Sequence, residues 1–139
     1  MNTFSIIKGW LWAVPVFCAL LVGGCDGDGP VEPEGPTFAE VQNEVFMPSC
    51  AGCHSGSNAP EGLDLTANAA FDDIVNIPSE QVSELMRVNP GNAEDSYLYI
   101  KIIGGARMAP GTFQMPIGSE LSDDQIRLFR EWIDAGAKR

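Results

Sequence analysis

The chain has 139 residues, with 19 acidic against 8 basic side chains and a formal net charge of −11. That balance disfavours nucleic-acid binding, which relies on Lys and Arg to neutralise phosphate. Once an N-terminal leader and a polar linker are set aside, the length leaves one small domain.

Residues 1–24 read as a secretory signal. Lys8 supplies the positive start, and Trp10 to Val22 is apolar apart from Pro15. The run falls short of the roughly 20 apolar residues that a spanning helix needs. It ends in Leu21-Val22-Gly23-Gly24-Cys25, which resembles a bacterial lipobox. Cys25 is therefore expected to be lipidated and to become the first residue of the mature chain. An ordinary signal peptide cut nearby, leaving Cys25 as a thiol, is the alternative. Cys18 lies inside the apolar run and leaves with it. Residues 25–36 form the lipidated cysteine and an acidic Gly/Pro tether, too polar to order itself. Asp26, directly after Cys25, resembles an inner-membrane retention signal of some Gram-negative bacteria. The expected location is extracytoplasmic, lipid-anchored to a bacterial membrane facing the periplasm.

The folded domain spans residues 37–139. Thr37-x-x-Glu40 is a capping box. Phe38, Val41 and Val45 then recur at helical spacing, with Phe46 alongside. This helix runs to Pro48 and delivers the chain to Cys50-Ala51-Gly52-Cys53-His54. C-x-x-C-H is the attachment signature of a c-type haem. Two thiols add across the porphyrin vinyl groups, and the adjacent histidine reaches the iron. His54 is the chain's only histidine. A thioredoxin-like C-x-x-C wants a βαβ context, which is not visible here. A structural zinc site usually takes four protein ligands, and the only other cysteines are Cys18 and Cys25. A Cys50–Cys53 disulfide would close a tight, strained loop.

Beyond the motif, residues 67–75 form a short helical candidate, and a turn from Pro78-Ser79 runs towards Leu85. Asn92-x-x-Asp95 is placed to cap a helix through Ile103, ended by Gly104-Gly105. Residues 100–103 are the one place where a strand could hide. The last helix is the clearest: Ser122-x-x-Gln125 forms a capping box, and Leu121 and Ile126 form a hydrophobic staple. Ile126, Phe129 and Ile133 make its buried stripe, with Trp132 beside it and Gly136 as the stop.

With these pieces in order, the chain resembles the class I cytochrome c family over roughly residues 37–139. It is also similar to small monohaem domains on secreted bacterial lipoproteins. That closer match rests on Glu61-Gly62-Leu63-Asp64-Leu65, Asn89-Pro90-Gly91 with Ser96-Tyr97-Leu98-Tyr99, Gln114-Met115-Pro116-Ile117-Gly118 and Trp132-Ile133-Asp134-Ala135-Gly136-Ala137. The resemblance implies an all-α domain wrapped around one covalently attached haem c, its terminal helices packed across each other. It implies Cys50 and Cys53 as covalent anchors, His54 as proximal iron ligand and a loop methionine as distal ligand. Met115 is the first choice, because Pro116 stiffens its loop and the last helix follows. Met108 is second, and Met86 is the remaining candidate.

His/Met ligation raises the reduction potential and fills both axial positions, which suits one-electron transfer. The expected partners are redox proteins of a respiratory or periplasmic chain; the acidic surface is read first as serving solubility, with electrostatic steering towards a basic docking patch as the sharper alternative. A haem enzyme or gas sensor would need an open or displaceable sixth site. Arg87, Lys101 and Arg107 are scarce cations placed to face haem propionates, although the simpler expectation for each is an ordinary surface charge.

Overall fold

The computed structural model describes residues 35–139. The leader, Cys25 and most of the tether lie outside the described residues. Thr37 opens the first helix as read from the sequence. Its Oγ1 accepts from the Glu40 amide at 3.3 Å, and its own amide donates to Glu40 Oε2 at 2.7 Å. Phe38–Val41 is α-helical, Gln42–Phe46 is π-helical and Met47–Ser49 is α-helical again. This run, residues 38–49, is α1. The π turn inserts extra backbone, and it was not legible from the spacing of the apolar residues. Gln42 turns inward there, and its Nε2 donates to the Leu65 carbonyl at 3.0 Å.

Ala70–Ile74 is α2, shorter at its start than the sequence predicts. The Pro78 segment forms no helix. Its chain closes instead by the Ser79 amide donating to the Leu85 carbonyl at 2.8 Å. The helix expected from Asn92 to Ile103 is split in two. Asn92 caps a 3-10 turn, Ala93–Asp95, and α3 is Tyr97–Ile103. Ser96, fully buried and extended between them, explains the break. Its hydroxyl donates to the Asn92 carbonyl at 2.9 Å and accepts from the Asn89 amide at 2.8 Å. A Ser hydroxyl bonded to local backbone competes with the helical ladder. Residues 100–103 are helical and not a strand.

Asp123–Asp134 is α4, opened by the Ser122–Gln125 capping box. Phe129, Trp132 and Ile133 on it are fully buried. The helix packs across α1 through aromatic pairs. Phe38 and Trp132 have ring centroids 5.5 Å apart, and Phe46 meets Phe129 edge-on, also at 5.5 Å. Gln125 Nε2 adds a bond to the Glu44 carbonyl at 2.6 Å. The fold of the described residues is all-α; their only β contacts are isolated bridges, such as Val75 with Val88. Among the described residues no helix is long and apolar enough to cross a membrane.

Candidate functional site

The end of α1 sets the position of the C-x-x-C-H segment. The amides of Cys50 and Ala51 both donate to the Phe46 carbonyl, at 2.9 and 2.8 Å. One further turn follows, in which the Cys53 and His54 amides donate to the Cys50 carbonyl at 3.1 and 2.9 Å. The His54 carbonyl in turn accepts from the Leu65 amide at 2.9 Å. The histidine backbone is thus held from both sides by residues close to it in the fold. Its Nδ1 is buried without a hydrogen-bond partner.

This segment borders a cavity of about 320 Å³, which Phe46, Leu63, Leu65, Tyr97, Leu98 and Ile102 line with apolar surface. The volume sits at the lower end of the roughly 300–1,000 Å³ of small-molecule and cofactor sites. Cys50, Cys53, His54 and Met115 all lie on its wall. Met108 and Met86 do not line it. The residues nominated first from sequence are therefore brought together by the fold.

The methionine is presented by a loop that caps α3. A helix leaves its last carbonyls without intrahelical partners. Here the Lys101 carbonyl accepts from the Met115 amide at 2.7 Å, and the Ile102 carbonyl accepts from Gln114 Nε2 at 2.8 Å. Gly104 makes room for this. Its φ is +75°, and a Cβ there would lie 2.6 Å from Gln114 Oε1. The Met115–Pro116 peptide bond is cis.

Pro60 and Glu61 of the Pro60–Gly62 turn also line the cavity, and in that turn Glu61 and Gly62 both have φ +57°. A non-glycine residue in that region is strained and needs support. Arg87 provides it. Its guanidinium donates to the carbonyls of Glu61 at 2.7 Å, Gly62 at 3.3 Å and Asp73 at 2.8 Å.

Arg87 and Lys101 correct the expectation of surface charges: both are buried and both line the cavity. Arg107 does lie at the surface, paired with Asp95 at 2.7 Å. Burial pushes the Lys101 ammonium below the usual lysine range, and the Glu61 carboxylate pulls it partly back. Of the two placements the sequence offered for Arg87 and Lys101, the cavity-facing one holds and the simpler surface one does not. The available signal was Lys101 standing alone in Ile100-Lys101-Ile102-Ile103.

Cys50 and Cys53 form no disulfide. Burial, and then the neighbouring Cys53, push the Cys50 thiol up to about 11. A redox or nucleophilic C-x-x-C needs the opposite shift, a stabilised thiolate. Among the described residues no group of three or more His, Cys, Asp and Glu side chains gathers as a metal site would require.

No protein-family model matches the chain, and no curated protein matches it. Among solved structures, the chain is similar to Kuenenia stuttgartiensis hydrazine synthase at 23% identity and a TM-score of 0.47. The match covers 73% of this chain and 16% of that one. A likeness of this size carries no argument about what the chain does.

Proposed function

We propose that residues 37–139 form a monohaem c-type cytochrome domain that carries single electrons between extracytoplasmic redox partners. The observation that carries this reading is the convergence of Cys50, Cys53, His54 and Met115 on one apolar cavity. The donor set fits the group: two thiols for covalent attachment, an imidazole and a thioether for iron. A high Cys50 pKa is compatible with a thiol that serves as an attachment point and not as a redox thiolate. When bound, haem supplies a one-electron iron couple, poised towards the reduced state by a thioether ligand. The chain's part is to hold and shield it. Cys50 and Cys53 would anchor the porphyrin, and His54 and Met115 would supply the ligands to its iron. Phe46, Leu65, Leu98 and Ile102 would keep water from the ring.

The full chain, produced in a host able to mature c-type cytochromes, tests attachment directly. Denaturing mass measurement is expected to show one haem retained on the polypeptide. Replacing Cys50 and Cys53 by Ser is expected to remove it. A wild-type chain that carries no covalent haem refutes the reading. The lipid anchor is tested separately, since Cys25→Ser is expected to release the protein from membranes and persistent attachment contradicts the lipobox.

A further inference from the structure

The distribution of cations in this acidic chain is uneven. Arg107, Arg127, Arg130 and Arg139 each pair with a carboxylate at the surface. Arg87 and Lys101 are 7% and 5% exposed, and among the described residues neither forms an ion pair. Both sit in the wall of the cavity.

The two differ in what satisfies them. Arg87 spends its donors on three backbone carbonyls and braces the strained Glu61–Gly62 turn. Lys101 has no such role for its amine, since Nζ is buried with no hydrogen-bond partner. An isolated ammonium out of water is among the costliest groups a fold can bury, unless something pairs with it.

The helix geometry shows that this burial is specific. Tyr97, Leu98, Lys101 and Ile102 of α3 all line the cavity, which is one face at spacings of one, three and four residues. Lys101 therefore occupies a position on the cavity face where its neighbours are aromatic or aliphatic. Ile103, two residues on, is 42% exposed. Hydrocarbon faces solvent and charge faces the interior, the reverse of what burial of apolar surface alone selects. A local inversion of this kind marks a functional position.

We infer that Lys101 anchors an anionic group of the cavity's occupant, its ammonium pairing with a carboxylate while Arg87 adds positive potential alongside. The inference rests on the haem reading, under which that carboxylate is a porphyrin propionate. Lys101 is then a positioning residue with two attachments. Its side chain fixes the edge of the ring, and its carbonyl holds the Met115 amide. The cation also opposes the extra positive charge of oxidised iron, so it raises the reduction potential.

The test uses the full-length, haem-loaded protein as wild type, Lys101→Met, Lys101→Arg and, as an exposed control, Lys138→Met. Three quantities are read: covalent haem per chain, midpoint potential and the infrared carboxylate bands of haem carrying ¹³C in its propionate carboxyls. Lys101→Met is expected to retain haem, to lower the potential and to shift a labelled carboxylate band. Lys101→Arg is expected to restore both readouts towards wild type, and Lys138→Met to move neither. If Lys101→Met does not load haem, Lys101→Gln is read in its place. Loss of haem from both neutral variants, with loading kept in Lys101→Arg, also supports the anchor. A loaded Lys101→Met protein with wild-type potential and wild-type carboxylate bands overturns it and leaves the haem reading intact. A wild-type chain without haem overturns that reading and this inference with it.

Discussion

The Met115 amide donates to the Lys101 carbonyl at 2.7 Å, so the methionine loop is seated on the end of α3. The same helix places Tyr97, Leu98 and Ile102 on the cavity wall. Helix, loop and cavity are therefore coupled: a change that loosens the C-terminus of α3 also loosens the residue proposed as distal ligand. The C-terminal carbonyls of a helix need partners in any case. Here that need is met by the loop that carries the sulfur.

Met115 and Met108 separate cleanly on this account. Met115 borders the cavity, and Met108 does not. Met115→Ala is expected to open the distal position, to let the reduced protein bind carbon monoxide and to lower the reduction potential. Met108→Ala is expected to change none of these. Visible spectra with and without the gas, together with a potentiometric titration, check both variants. The reverse pattern would move the assignment to Met108.

Gly104 tests the seating of the loop without touching a proposed ligand. Its φ of +75° and ψ of −169° lie in a region open essentially to glycine alone. Gly104→Ala adds backbone strain and drives a Cβ against Gln114. A loss of about 1–3 kcal/mol in unfolding free energy is expected, the usual cost of such strain. The Gln114 contact with the Ile102 carbonyl should weaken with it. Chemical denaturation measures the first effect. A stability equal to wild type would show that the loop yields freely at this point.

Cys50 gives a pH-dependent prediction for the haem-free polypeptide. Burial raises its thiol to about 11, so the group is protonated at neutral pH and becomes a thiolate only as pH rises through that value. Alkylation at Cys50, followed residue by residue by mass spectrometry, is expected to keep accelerating up to about 11. Cys53 is exposed and is expected to react first. A plateau of the Cys50 rate near the ordinary thiol value of about 8.5 would contradict the buried environment.

Several elements were legible because single residues specify them locally. Thr37 with Glu40 and Ser122 with Gln125 form both capping boxes as read. Gly104 ends α3, and of the stripe read as Ile126, Phe129 and Ile133 with Trp132 beside it, all are fully buried except Ile126, which is half-buried. The features that escaped depend on distant partners. Ser96 breaks a helix because its hydroxyl is drawn to Asn89 and Asn92. The π turn of α1 turns Gln42 inward towards Leu65, 23 residues away. Arg87 is buried because Glu61, Gly62 and Asp73 offer it three carbonyls, and nothing near it in sequence announces that. Within the site, Cys50, Cys53, His54 and Met115 could be named from motif and order. Arg87 and Lys101 were also named, but that they are buried and not surface charges needed the fold.

The absorption spectrum of the purified mature protein, oxidised and reduced, with and without carbon monoxide, tests the central claim most directly. The account predicts a low-spin c-type spectrum with the weak far-red band of methionine–iron ligation, unmoved by the gas. A high-spin spectrum that shifts when the gas is added would contradict the closed His54/Met115 site and favour an enzyme or a sensor.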